Sequence, residues 1–451
     1  MNQEPPSPQQ VVGASPSRQI LDEEQTTCCV VGAGPAGATL SFMLARQSIP
    51  VILLESHLDF DPDFRGDTLH PSILEVMDEL GLADRLLQLP HTKFNLVVPP
   101  AAGAQMRFDL QDLKTKFPYI AMMPQTRFLE FITGEAQRFP SFRLVMGARV
   151  EELLEEDGQV RGVRYRALDG WHEVRALLVV GTDGRFSRLR RLAGFEPIAS
   201  SPPMDVLWLR LSRRPDDPHG LMGRFGRERA LIFLEREDHW QIGYIIGKGT
   251  YHEVHAAGLE ALRQAIAETA PEFADRVAEL SDWKQVSMLS VEANRLPRWY
   301  RPGLLLLGDA AHVMSPAGGN GIHYAIMDAV AAANLLSAPL QAGQVTVADL
   351  ARVQRRREWP TRVIQAIVNL LQDRLLKAAL DPKGSFSFPG FLGWPLVRKV
   401  PPLLFGFGIR PEHVQTKTRR GPNWSHVGKW IGGIVAVFVG IQLIRRFLRS
   451  F

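Results

Sequence analysis

The stretch "CCVVGAGPAGATLSFMLARQSIPVILLES", residues 28–56, decides the fold. An apolar run of strand length (28–31) enters a turn with glycines at 32, 34 and 37. A helical segment then runs to about residue 47, and a second apolar run closes on Glu55. Strand, glycine turn, helix and strand in this order make a βαβ unit with GxGxxG spacing. Gly32 permits the tight turn, Gly34 lets a pyrophosphate approach the backbone, and Gly37 lets the helix pack closely on the strand. The free N–H groups of the helix start then face the phosphates. Glu55, eighteen residues after Gly37, stands where an acid hydrogen-bonds a ribose hydroxyl. A lone GxGxxG is weak evidence, but in this full context it points to a bound dinucleotide without separating NAD from FAD.

Two further segments repeat the logic of a buried strand that ends in Gly and Asp. "VRALLVVGTDGRFSRLRRLAG", residues 174–194, places Asp183 after a buried strand and before a basic helix. Either Asp183 or Ser187 is also suited to cap that helix. "LLLLGDAAHVMSPAGGNG", residues 304–321, runs four leucines into Gly308, Asp309 and His312, then into a cluster of Pro and Gly. The carboxyl ends of buried parallel strands are where open α/β sheets place ligands, so Asp309 is positioned to hold a ligand hydroxyl.

The remainder of the chain sets the context. Its 451 residues allow two or three domains, and 45% hydrophobic residues suit a sizeable core. A formal charge of +4 with scattered arginines argues against nucleic acid as a partner. The only cysteines, Cys28 and Cys29, are adjacent within a strand, which suits neither a disulfide nor a metal site and fits a reducing, cytoplasmic compartment. Residues 1–25 are rich in Pro, Gln and Ser, lack the apolar core of a secretory signal, and read as a disordered polar leader. At the other end "WIGGIVAVFVGIQLI", residues 430–444, precedes "RRFLRSF". A helix of that length spans roughly 22 Å, short of a ~30 Å hydrocarbon core. Its Trp and Arg boundaries favour membrane contact, either spanning or interfacial, with a buried C-terminal helix as the alternative.

"DFRGDTLHPSILEVMDELGLADRLLQL" reads as a helix starting after His70 and Pro71, with Leu74, Met77, Leu80 and Leu82 apolar. "MPQTRFLEFITGEAQRF" gives a short helix with Leu129, Phe131 and Ile132 inward. Arg65 and Arg127 lie beside these turn-to-helix transitions, as solvated surface arginines or as phosphate contacts. Between 195 and 288 the segments "DVLWLRLS", "ERALIFLERE" and "HWQIGYIIG" alternate with period two, the mark of an antiparallel sheet with one buried face, and an amphipathic helical stretch follows near 260–280. Trp208, Arg210, Trp240 and Tyr244 read individually as packing or solvated residues. Beyond residue 349 the chain is helical and basic.

Together the three blocks resemble the group A FAD-dependent monooxygenases with the para-hydroxybenzoate hydroxylase fold, including the ubiquinone-biosynthesis hydroxylases. The DGxxSxxR fingerprint of that family is matched by Asp183, Gly184, Ser187 and Arg190. The fingerprint GDAAHxxxPxxGxG is matched by Gly308, Asp309, Ala310, Ala311, His312, Pro316, Gly319 and Gly321. The expected fold is therefore α/β, a Rossmann-like FAD-binding domain (26–97, 119–194, 289–345) with an inserted antiparallel-sheet substrate domain (98–118, 195–288). A C-terminal helical region (346–425) and a membrane-associating tail (426–451) complete the division.

The resemblance implies that FAD is held by Gly32, Gly34, Gly37, Glu55, Arg65, Gln125, Arg127, Asp183, Gly308, Asp309 and Gly321, with Asp309 on the ribityl chain. The loop of Pro316, Gly318, Gly319, Asn320, Gly321 and His323 lies beside the flavin ring, His323 standing where the family often has Asn. Helix-start N–H groups there stabilise the negative charge of a reduced flavin. His312 is read as a structural histidine, no catalytic side chain beyond the flavin is expected, and no metal. The implied activity takes NAD(P)H and O2 and hydroxylates or epoxidises an aromatic, quinone-like or other lipophilic substrate through a flavin C4a-hydroperoxide. The alternatives are an FAD-dependent reductase of isoprenoid double bonds, a halogenase, disfavoured because a WxWxIP pattern is absent, and a non-catalytic FAD-fold lipid-binding protein.

Overall fold

The computed structural model describes residues 19–60, 68–94, 96–97, 108–200, 202–218, 220–226, 229–316, 319–379 and 400–415. Arg65, Gly318, residues 1–18 and the tail 426–451 lie outside them. Among the described residues no helix is long and apolar enough to cross a membrane.

The chain opens with β1 (Ile20–Val31), α1 (Pro35–Ala45) and β2 (Val51–Leu54). Four-residue runs at the end of β1 and throughout β2 are wholly buried, as strands covered on both faces require. The strand begins at Ile20, inside the segment read above as leader. Its polar first half pairs with residues 171–175, and Glu23 and Glu24 form ion pairs with Arg175 and Arg143. Cross-strand partners of opposite charge thus support strand structure that hydrophobic pattern alone does not reveal.

α2 (Pro71–Glu79) starts with proline at its first position, where a missing N–H costs nothing, and α3 (Gln125–Ala136) leads to β3 (Phe142–Val145). Leu129 and Ile132 are buried in α3, whereas Phe131 is half-buried and Phe128 takes the inward place beside them. β4 (Trp171–Gly181) pairs in parallel with β1, and α4 (Arg188–Leu192) follows it. The parallel core runs, in spatial order, residues 304–306, β4, β1, β2, β3, so the chain leaves β1 toward both sides. That reversal creates a crevice at the carboxyl ends of the strands.

The inserted antiparallel sheet contains β5 (Met204–Ser212), β6 (Leu221–Gly226), β7 (Arg229–Glu235) and β8 (His239–Gly247). One face carries Leu207, Leu209, Phe233, Trp240 and Ile242, packed on Leu262 and Ile266 of α5 (Leu259–Thr269) and on Phe273. The helical stretch expected as far as residue 280 stops at Pro271, which has no N–H to continue it, and goes on as short 3-10 turns.

β9 (Leu304–Leu306) completes the parallel core and is followed by α6 (Asn320–Gln341), α7 (Val347–Ala379) and α8 (Val400–Phe407). An ionic chain, buried except at its Arg356 end, ties these parts together. Asp328 of α6 accepts from the Gly308 N–H (3.1 Å) and Arg357 Nε (2.9 Å) and lies 2.6 Å from His312 Nε2. Arg357 also reaches Glu412, which takes two bonds from Arg356 at 2.7 and 3.0 Å. Burial pushes the Asp328 carboxyl up, but His312 and Arg357 hold it below the usual carboxylate range. Removing one partner leaves buried charges uncompensated, typically a loss of about 3–5 kcal/mol. Arg357→Leu is therefore expected to lower the thermal unfolding midpoint by several degrees, followed by circular dichroism; an unchanged midpoint would show that the network contributes nothing to stability.

Candidate active site

The three Gly-bearing segments of the sequence meet at the carboxyl ends of β1, β4 and β9. Thr182, just beyond β4, donates its hydroxyl to Val31 O (2.9 Å) and Gly32 O (2.7 Å), locking the turn after β1. A side chain on Gly37 would begin 2.0 Å from Gly32 O and 2.5 Å from Thr182 Oγ1, so only glycine fits. Gly32 has φ +98° and is equally enclosed by the Thr182 backbone. Gly34 is the opposite case, because a Cβ there would meet nothing within 4 Å. Open space therefore lies against the backbone at the start of α1, which no side chain caps.

Glu55 closes the rim. Its carboxylate accepts from the Ala33 N–H (2.8 Å) in the glycine turn and from the His57 N–H (3.1 Å). Burial raises its pKa, but these bonds and those from the His57 ring and Ser56 hydroxyl bring it below the ordinary value. Asp183 acts as a helix cap: it accepts from Ser187 Oγ (2.6 Å) and from the N–H groups of Arg188 (2.7 Å) and Leu189 (2.9 Å). Burial nonetheless raises its pKa, against those bonds. Gln125 is half-buried at the first position of α3. Arg127 binds the Pro90 carbonyl at 2.9 Å.

Asp309 is half-buried in the 3-10 turn Gly308–Ala310. Gly308, with φ +58°, rests near Ala325 of α6 and Ala36 of α1, so this turn touches both helices. Gly319, also left-handed, ends the loop, and its carbonyl accepts from Thr68 Oγ1 at 3.3 Å. α6 then starts with no side-chain cap, and a Cβ on Gly321 would again meet open space. Asn320 is buried, and its Oδ1 has no hydrogen-bond partner among the described residues.

His323 neither caps α6 nor stands alone. Its Nε2 lies 3.2 Å from Ser72 Oγ and its ring 5.5 Å from that of His70. Burial, with the like-charged influence of His70 and Arg357, pushes its pKa well below 6.5. His70 donates from Nδ1 to the Phe405 carbonyl at 2.5 Å; burial lowers its pKa too, against the pull of the Phe405 and Gly319 carbonyls. Sequence reading missed the roles of His70, Thr182, Asp328 and Arg357. Only Thr182, inside "GTDG", had a local signal.

Two glycines facing open space, two uncapped helix starts and acids at three strand ends fit a long dinucleotide laid across the crevice, the arrangement of a flavoprotein oxidoreductase. A family model described as FAD binding domain matches residues 25–366. The chain belongs to this family and is an FAD-dependent monooxygenase of the group A, para-hydroxybenzoate hydroxylase-like kind. It is 33% identical to the 6-methylpretetramide 4-monooxygenase of Streptomyces rimosus, over 82% of this chain and 90% of that one. With the 3-demethoxyubiquinol 3-hydroxylase of Escherichia coli (strain K12) the identity is 23%, over 78% and 90%. Among solved structures, PqsL, a probable FAD-dependent monooxygenase from Pseudomonas aeruginosa, superposes with a TM-score of 0.68 at 21% identity, over 80% of this chain and 98% of that one.

Two outcomes follow from the geometry. Gly34→Val fills the open space at the start of α1, so the folded variant is expected to purify without flavin; a variant with full flavin absorbance would overturn the role of that turn. His323 has a folded pKa below its unfolded 6.5, so the unfolded chain binds more protons and stability is lost as pH falls below about 6.5. His323→Gln should flatten the decline of the thermal midpoint between about pH 6.5 and 5, and an identical decline in both proteins would exclude His323 as its source.

Proposed function

We propose that this chain hydroxylates an aromatic, polyketide-like or quinone-like substrate at the expense of NAD(P)H and O2. The observation that carries the reading is the convergence of the Gly34, Asp309 and Gly319–Gly321 elements on one crevice, in a chain one-third identical to a 6-methylpretetramide 4-monooxygenase. When bound, FAD supplies the redox chemistry: electrons from NAD(P)H reduce O2, one oxygen enters the substrate and the other leaves as water.

The protein's part is to bind, orient and exclude water. In our reading Gly34 and the start of α1 hold the pyrophosphate, Glu55 a ribose hydroxyl, and Asp309 the ribityl chain, while Gln125 lies at the rim. Asp183, its oxygens engaged by α4, keeps the turn after β4 in place beside Thr182. N–H groups at the start of α6 would face the negative charge of a reduced ring system, and glycine at 321 keeps that approach clear, while left-handed Gly319, tight against Thr68, shapes the loop. Burial keeps His323 neutral, so it adds no charge to that field. Arg127, bound to Pro90, is assigned to the scaffold, and Arg65 keeps the phosphate role its sequence position suggests.

We also retain the division into FAD-binding segments (26–97, 119–194, 289–345) and substrate segments (98–118, 195–288). The apolar, arginine-flanked segment 430–451 serves in this reading as a membrane contact that brings in lipophilic substrate, on the support of its sequence. The deciding experiment uses purified FAD-loaded protein, a panel of aromatic and quinone-like compounds, and 18O2. We expect a compound that stimulates NAD(P)H oxidation and gains one labelled oxygen atom by mass spectrometry. Saturation of an isoprenoid double bond without oxygen uptake would replace this reading with a reductase.

A further inference from the structure

We propose that the outward face of the antiparallel sheet is a platform for a planar fused-ring ligand and that the Trp208 indole N–H fixes its orientation by donating to an edge oxygen. The proposal rests on the aromatic-substrate reading above and narrows it. Strand alternation puts Trp208, Gly243, Ile232 and Gly223 on the face opposite the α5 core. Strand pairing places them in one row, Trp208 against Gly243, Gly243 against Ile232, and Ile232 against Gly223. Four neighbouring strands span about 14 Å at their usual spacing, the length of three fused six-membered rings with their substituents.

The relief of the row suits a flat molecule. Two of its four members have no side chain, and the benzo edge of Trp208 extends over Gly243, where a Cβ would stand 3.0 Å from Cζ3 and 3.2 Å from Cη2. Of the two adjoining rows, Val206, Ile245 and Ala230 are uncharged, and Arg210, Gln241 and Leu234 make a polar-to-apolar border. Leu234, on the same face, packs on the apolar cluster of Phe94, Leu110 and Phe407, against which Phe405 also packs. The Phe405 ring lies 5.3 Å from that of His70, which neighbours His323 and the Gly319 loop. The platform is thus continuous with the wall of the flavin crevice.

The second observation is polar. Trp208 Nε1 is buried and has no acceptor among the described residues. The indole on the opposite face, Trp240, donates to Asp217 at 2.8 Å. Buried donors are nearly always paired, so a ring carbonyl or phenolic oxygen is the complement Trp208 lacks. Indole faces also stack favourably on flat aromatic rings.

The test uses the FAD holoenzyme, 1,8-dihydroxyanthraquinone as a three-ring probe with edge oxygens, and 4-hydroxybenzoate as a one-ring probe, both titrated by calorimetry. Trp208→Phe keeps a ring and loses the N–H; Trp208→Leu loses both. Flavin content and thermal midpoint report on folding and should match the unchanged protein. We expect the three-ring probe to bind Trp208→Phe about tenfold more weakly and Trp208→Leu more weakly still, with 4-hydroxybenzoate unaffected. Equal affinity in Trp208→Phe overturns the donor role, and equal affinity in Trp208→Leu overturns the platform. A protein that binds or hydroxylates one-ring aromatics and ignores the three-ring probe overturns the fused-ring inference and keeps the proposed function. Failure with every aromatic compound overturns both.

Discussion

The Gly32 carbonyl stands 2.0 Å from where a side chain on residue 37 would begin, and the Thr182 hydroxyl binds that same carbonyl. This contact sets how closely α1 lies on the sheet, and that closeness aims the free N–H groups of α1 into the crevice. It also joins two strands more than a hundred residues apart, because Thr182 reaches across from β4 to the turn after β1. A small shift here would move the helix start, the Glu55 rim and the Asp183 turn together. The neighbouring β9 follows the same alignment, since Leu307 N–H binds the Gly181 carbonyl at 2.9 Å.

A second constraint fixes the far side of the crevice. Asp328 holds Gly308 and His312 from beneath, so the turn carrying Asp309 is set by a charge that never meets solvent. The charges of Asp328, Arg357 and Glu412 in the interior are balanced by the partly exposed Arg356, which is what makes such a chain of ions tolerable. Beside it, the His70 and His323 pair joins the loop at Gly319 to α8 through neutral rings. On this side charge is carried by the Asp328 layer, and burial keeps the two histidines beside the Gly319 loop uncharged.

What the sequence revealed and what it concealed divide along physical lines. The βαβ unit was legible because the demands on Gly32, Gly34 and Gly37 arise within a few residues, and the start of α2 was legible because proline tolerates a first turn. The sequence offered Asp183 or Ser187 as the cap of α4, and both serve: Asp183 accepts from the Arg188 and Leu189 N–H groups, and Ser187, the N-cap residue, from that of Arg190. The first half of β1 was hidden because its polar residues owe their strand structure to distant arginines. His70 with Phe405, and Asp328 with Arg357 and Glu412, were hidden for the same reason. Their partners are adjacent only after the chain has folded, and no period or spacing announces them. Trp208 was read as a packing residue because its neighbour Gly243 and its unmet N–H are properties of the folded sheet.

The strap from Phe405 to Gln415 has a consequence for the order of events during synthesis. Its Ile409 N–H binds Tyr324, its Glu412 closes the ionic layer, His413 and Val414 bind Glu79, and Gln415 binds Asn334. Each of these contacts joins a late residue to an early one. While the ribosome is still producing the intervening helix, α6 lacks its outer support and Asp328 lacks part of its counter-charge. The outer side of α6 therefore gains these bonds only after residues 409–415 have been made, although the glycine turns it adjoins are encoded far earlier.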